Sequence, residues 1–421
     1  MIVGRLDGGH EGQTSRASSP SGGAVQVDST VAGGDNPPVR CRVSLRGGRT
    51  NPPFGRSPSL SGMRRSALHL LSALLGTLAV ASSHANAQPV RVAYRAAADA
   101  FEILDHVSNW WPGYTESVYL TYWADSIGFA RGDSALFARY AALREKYYDK
   151  RGQGSSQPRR EGSGLFSDRS VLGADPLATA FYAAQTTESA IVALRTLLTT
   201  EERAFLTGFY AHFQARLTPL LQQTQSRTAA SRAVTARTVE APEVAAYVAT
   251  VRRWIGSDSV SFTALYVWWP DTLHTAASPS GQHLILRVRP APTDTVNSAD
   301  VVAHEAMHVF MATMDDTRKR TISGALLDGC PVPGEVRRLA VLEEPLATVL
   351  GNMEFRRRFQ PRRFQWSRPW YGDDWVDLEA RLLYPIVTAA LNGETPMGAA
   401  FTRDATAMCA LGARARQPRA P

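Results

Sequence analysis

The sequence is short of lysine, of cysteine and of long apolar runs. Lys146, Lys150 and Lys319 are its only lysines among 46 basic residues, a bias read as genome composition before function. Cys41, Cys330 and Cys409 are its only cysteines and form no Cys-x-x-Cys spacing, so a cysteine-built metal site is excluded. No apolar run reaches the roughly 20 residues that a bilayer span needs, which excludes a bundle of membrane helices. No repeat of solenoid length is present. What remains is an ordinary globular composition over 421 residues, 44% hydrophobic and 20% charged, long enough for two or three domains and an ample core. The formal charge of +8 is unevenly spread, because residues 1–87 hold nine arginines and only four acids. Beyond them the balance is close to neutral and argues neither for nor against a polyanionic partner.

Residues 63–87 have the three-part layout of a secretory signal peptide. Arg64 and Arg65 form the basic start, Ala67 to Ala81 a largely apolar stretch, and Ala85-Asn86-Ala87 a small-x-small cleavage site before Gln88. A buried N-terminal helix is the alternative. The preceding residues 1–62 are rich in Gly, Ser, Pro and Arg without apolar periodicity, and read as a disordered leader upstream of a true start at Met63. The mature chain is then extracytoplasmic, periplasmic or secreted, with no membrane span. Cleavage leaves Cys330 and Cys409, whose default in an oxidising compartment is a disulfide.

The mature chain changes pattern near its middle. Residues 97–149 have helical periodicity, interrupted at Trp111-Pro112-Gly113; residues 151–175 read as an exposed loop or linker. Helices return over 176–224, with Pro219 as a kink or break, and over 242–255 behind Pro242. Ser259 to Trp269 and His283 to Val288 then read as two strands of a hairpin-like unit, and helices follow. The expected class is α+β: a helical domain over 88–240, then a domain over 241–421 with a small antiparallel sheet packed on a helix.

That helix carries the chemistry. Within residues 297–316, Asn297 or Ser298 can cap a helix, and His304, Glu305 and His308 spell HEAMH. Residues i and i+4 share a helix face, so both imidazoles can converge on one zinc ion. Glu305 stands beside them, placed to take a proton from a water that the ion acidifies. The neighbours Val301, Val302, Ala303, Ala306, Met307, Val309 and Phe310 are uncharged. A surface helix with two unrelated histidines, the alternative, would have polar neighbours. A buried helix would lose several kcal/mol on an unligated His, Glu and His.

The third ligand comes from the stretch Leu342 to Asn352, LEEPLATVLGN. Here the chain resembles the gluzincin zinc metallopeptidases, the thermolysin-like branch of the zincins. In that group HExxH is followed on a later helix by a glutamate ligand in a Glu-Gly-x-Ala type string. Glu344-Pro345-Leu346-Ala347 matches with Pro for Gly, and the resemblance implies Glu344 as ligand, with Glu343 as the near alternative. It implies a zincin-like fold for 241–421, and an enzyme that hydrolyses peptide bonds in a peptide or protein substrate. A zinc-retaining binding protein, or a hydrolase of another amide, on the same scaffold is the alternative. Pro345 suits a helix start, which puts Glu344 at the helix mouth. Thr348 stands where the group often has an aspartate, leaving a hydroxyl as the weaker partner for a ligand imidazole. No glycine and third histidine follow at metzincin spacing.

An oxyanion donor is also expected. Tyr384 is the first candidate and His283 the second. The strand from His283 to Val288 could pair with an extended peptide. The run Arg356, Arg357, Arg358, Arg362, Arg363 and Arg368, interleaved with Phe and Trp, reads as a solvated, self-paired surface because Asp373, Asp374, Asp377 and Glu379 follow; a rim attracting acidic substrates is the alternative, and a nucleic-acid partner is not expected. His106, His212 and His274 show no ligand spacing and read as structural or surface residues.

Overall fold

A computed structural model describes residues 90–416 apart from 113, 149–163, 169–172, 174, 259, 271–274, 290–294, 333, 335 and 394. The leader, the signal peptide, most of the linker and His274 lie outside the described residues.

The chain opens with β1 (Val90–Ala93) and then runs through helices α1 (Ala96–Val107), α2 (Ser117–Tyr122), α3 (Asp133–Tyr147), α4 (Pro176–Ala183), α5 (Thr187–Ala193), α6 (Thr200–Arg227), α7 (Ala229–Val239) and α8 (Pro242–Ile255). Local chemistry sets their ends. Thr186 with Ser189, and Thr199 with Glu202, form reciprocal capping boxes on α5 and α6. Pro176 and Pro242 occupy first helical positions, where a missing N–H costs nothing. Pro219 does not end its helix: α6 runs on past it to Arg227.

Three strands follow, β2 (Phe262–Trp268), β3 (Ala276–Ser280) and β4 (His283–Val288). The sheet order is β1-β2-β4-β3. β1 and β4 both run parallel to β2, and only β3 is antiparallel, to β4. The expected antiparallel sheet is therefore a mixed one, and the two strands read as a hairpin are parallel neighbours. The unforeseen strand Ala-Ala-Ser-Pro-Ser has none of the β-branched or aromatic residues that mark strands. It tolerates Pro279 because it is an edge. β4 lies inside the sheet with both sides paired, so it has no free edge for a peptide.

Alternation along the strands gives the sheet two buried faces. Leu265, Val267 and Ile285 meet the N-terminal helices in a core with Phe101, Phe181, Phe209 and Phe213. Ala264, Tyr266, Leu284 and Leu286 meet the C-terminal helices. Those are α9 (Ala299–Thr313), α10 (Asp316–Gly329), α11 (Arg338–Val341), α12 (Glu343–Ala347), a π-helical turn over Thr348–Glu354, α13 (Phe355–Phe359), α14 (Asp374–Asn392) and α15 (Ala399–Arg416). The second core also takes Leu165 and Phe166, both wholly buried. The described part of the expected exposed linker is thus docked, because two adjacent apolar side chains in a polar stretch find a core to enter. Cys330 and Cys409 are joined, tying the end of α10 to α15 across 79 residues of sequence. No described helix is long and apolar enough to cross a membrane.

Candidate metal centre

α9 is buried along nearly its whole length, by the sheet on one side and the 339–355 segment on the other. Its apolar residues explain the burial; its polar ones need a separate account. His304 is 7% exposed, Glu305 6% and His308 2%, and Glu344 on α12 is 1% exposed. The helix of Glu344 begins at Glu343, two residues before the expected start, with Pro345 still inside the first turn where it is tolerated.

These elements bring three ligand atoms to one point. The two Nε2 atoms of His304 and His308 are 3.2 Å apart. Oε2 of Glu344 lies 3.6 Å from the first and 3.4 Å from the second. Zinc–nitrogen and zinc–oxygen bonds of about 2.0–2.1 Å at tetrahedral angles put ligand atoms about 3.3 Å apart, so the triangle has the size that such an ion needs.

The partners behind the ligands fix their orientation. Nδ1 of His304 donates to Oδ1 of Asn352 at 2.8 Å, and Nδ1 of His308 donates to Oε1 of Glu343 at 2.8 Å. An acceptor on Nδ1 holds the proton there and leaves the Nε2 lone pair aimed at the centre. Glu343, the near alternative for ligand, thus sits behind His308. Thr348 takes no such part; its Oγ1 is buried without a hydrogen-bond partner.

Charge argues the same way. Glu305, Glu343 and Glu344 are three buried carboxyl groups around two imidazoles, a set that calls for a cation. Burial pushes the Glu305 carboxyl above its usual pKa. Burial would do the same to Glu344, but His308 and His304 outweigh it and hold that group low. Burial opposes charge on His308, and Glu344 and Glu343 reverse the sign. Oε2 of Glu305 and Oε1 of Glu344 are buried with no hydrogen-bond partner, orphaned oxygens of the kind that a ligand or ordered water satisfies.

Three residues that the sequence reading did not single out complete the centre. The hydroxyl of Tyr371 donates to Oε2 of Glu344 at 3.0 Å, and its ring lies 6.0 Å from that of His304. Asn352 orients His304. Gly351 lets the π-helical turn touch α9: a Cβ there would lie 2.8 Å from the Ala303 carbonyl carbon and closer still to His304 N and Cα. The Gly-Asn pair, seven and eight residues after the ligand and inside a helical stretch, was the available signal for both. Tyr371 lies in a loop without periodicity, and nothing in the sequence marks it.

The expected oxyanion donors lie elsewhere. Tyr384, on α14, gives its hydroxyl to Oε2 of Glu354 at 2.9 Å. His283 is on the sheet face away from α9, 3.3 Å from an Arg95 nitrogen, and burial together with that arginine pushes its pKa down to about 4. His106 is buried with its Nε2 on Glu102 at 3.2 Å, and His212 meets Asp133 at 2.8 Å. Arg356, Arg357, Arg358 and Arg363 of the run are paired within the chain, and not with the acids that follow it in sequence. Arg356 binds Asp300, and Arg357 and Arg358 bind Glu354. A π-helical turn and α13 bring those charges together.

The buried His304, His308 and Glu344 set can hold a metal ion. Comparison of the chain with protein-family models, curated proteins and solved structures returns no match.

Proposed function

We propose that the chain is an exported zinc metallopeptidase of gluzincin type, its residues 241–421 a zincin-like domain. The observation that carries this reading is the 3.2, 3.4 and 3.6 Å triangle of ligand atoms with an unpartnered Glu305 oxygen buried on the same helix. His304, His308 and Glu344 hold the ion. Zinc bound there supplies a Lewis acid that polarises a carbonyl and lowers the pKa of a water toward 7. Glu305 takes the proton at its free oxygen and passes it to the leaving amine. Tyr371, whose hydroxyl reaches the ligand oxygen of Glu344, is the oxyanion donor in this reading.

The test begins with elemental analysis of the chain from residue 88, with and without His304→Ala. One zinc per chain, lost in the variant, is expected; absence of zinc from the unaltered chain overturns the reading. Glu305→Gln should lower peptide hydrolysis by about a thousandfold or more while zinc stays bound. Activity that persists removes Glu305 from its role. The near-complete burial of the four groups is the one feature that favours the alternative, a zinc-retaining protein without peptidase activity. That alternative predicts full zinc occupancy and no hydrolysis in the unaltered chain. Mass spectrometry of the exported product should find Gln88 at its N-terminus, and a peptide from residues 1–62 would refute both the leader and the start at Met63.

A further inference from the structure

We infer that Ser167 is a positioning residue for the metal centre, acting through Glu343 and His308; this rests on the metal reading above. Four observations carry it. Glu343 gives one oxygen to the imidazole, and Ser167 occupies the rest of the carboxylate: its hydroxyl donates to Oε1 at 2.7 Å, and its backbone N–H donates to Oε2. Ser167 is itself held, since the wholly buried ammonium of Lys319 donates to its carbonyl at 3.0 Å and to the Ala312 carbonyl at 2.6 Å. Ala312 lies on α9 one turn after His308. The circuit His308, Glu343, Ser167, Lys319, Ala312 therefore closes on the ligand helix itself. Finally, the segment that carries Ser167 is wedged in place by buried Leu165 and Phe166, with the Leu165 N–H donating to Ser323 Oγ at 2.9 Å.

A carboxylate that orients a ligand imidazole must be oriented in turn. Two donors from one residue fix both oxygens of Glu343, and with them the direction of the His308 lone pair. The clamp comes from a stretch about 130 residues before the ligand helix, joining the N-terminal part of the chain to the metal.

Cobalt affinity and the visible spectrum of the cobalt-loaded chain test this, with thermal unfolding as the control for folding. Ser167→Ala should weaken cobalt binding about tenfold and shift the visible bands. Glu343→Ala should weaken it further, and adding Ser167→Ala to Glu343→Ala should change nothing more, because Ser167 acts only through that carboxylate. Ser323→Ala removes the other hydrogen bond of the same segment and should leave affinity within about twofold. If Ser167→Ala folds poorly, Ser167→Thr, which keeps the hydroxyl, is read against Ser167→Val of the same shape, and the same tenfold gap is expected. An unaltered chain that binds no cobalt overturns the metal reading and this inference with it. Cobalt bound equally by both Ser167 variants, an additive double variant, or an equal loss in Ser323→Ala overturns this inference alone.

Discussion

Gly351→Ala is the sharpest perturbation of the packing that builds the centre. The added methyl would sit 2.8 Å from the Ala303 carbonyl carbon and closer to His304 N and Cα. Carbon atoms pack at about 3.5–4.0 Å, so the π-helical turn and α9 must part by about 1 Å. Both obstructing groups are backbone, and no rotamer change relieves the clash. Overpacking of this kind costs about 1–3 kcal/mol, and a rigid obstacle puts Gly351→Ala at the upper end. For a chain of this size, at about 2.1 cal/mol/K of unfolding entropy per residue, that is a fall of roughly 4 °C in Tm. The metal should suffer more than the fold. A ligand shift of about 1 Å is large against the roughly 0.2 Å tolerance of a zinc site, so affinity should fall well over tenfold. Gly208→Ala is the companion measurement. Gly208 is exposed in the middle of α6, with nothing within 4 Å of a Cβ. There the methyl should stabilise by about 0.5–1 kcal/mol through helix propensity and a less free unfolded chain. Calorimetry and zinc competition against a chelator read both variants. A Gly351→Ala chain that melts within about 1 °C of the parent and holds zinc equally well would refute the close packing of these two elements.

Tyr371→Phe should lower kcat by about a hundredfold with KM little changed, whereas Tyr384→Phe should leave kcat near its parent value; the reverse pattern would return the oxyanion role to Tyr384. Glu379 is buried with an unpartnered Oε1, and burial pushes its pKa up to about 8. Its folded pKa lies above the unfolded one, so its contribution is fully present below about pH 4.5 and is lost as pH rises toward 8, a change of roughly 4–5 kcal/mol. Glu379→Gln should remove that decline from stability measured between pH 5 and 8, and an unchanged slope would show that Glu379 titrates normally. Opening the Cys330–Cys409 bond, which closes a loop of 79 residues, should cost up to about 4 kcal/mol, seen as a lower Tm in reductant. Equal melting with and without reductant would refute a stabilising bond.

Much of the fold was legible where local rules decide. Helical periodicity over 176–224 covers α4, α5 and most of α6, Pro242 places the start of α8, and β-branched, aromatic or alternating runs place β2 and β4. Pairing was not legible. β2 and β4 look like a hairpin because they are successive apolar strands. They are parallel because Ala276–Ser280, which carries no strand signal of its own, makes the return journey at the edge. Burial also hid the difference between the two sheet faces. His283 and Arg287 lie on the face away from α9, and Arg287 is held there by Glu102 at 2.8 Å, a contact across 185 residues.

The centre divides by the same rule. His304, Glu305 and His308 were readable because helical spacing alone fixes their relation. Asn352 meets His304 across 48 residues and Ser167 meets Glu343 across 176, distances at which only the folded chain sets neighbours. The Glu343-Glu344 pair shows why the two cases differ. In the sequence these residues compete for one ligand position. On a helix, successive side chains point about 100° apart, so the two cannot serve the same atom. What the doublet can do is reach two atoms of one ring. Glu344 faces Nε2 of His308 at 3.4 Å, and Glu343 faces Nδ1 at 2.8 Å. The α12 start, set by Pro345 inside its first turn, turns an ambiguity of register into two roles: one carboxylate for the ion and one for the imidazole that holds it.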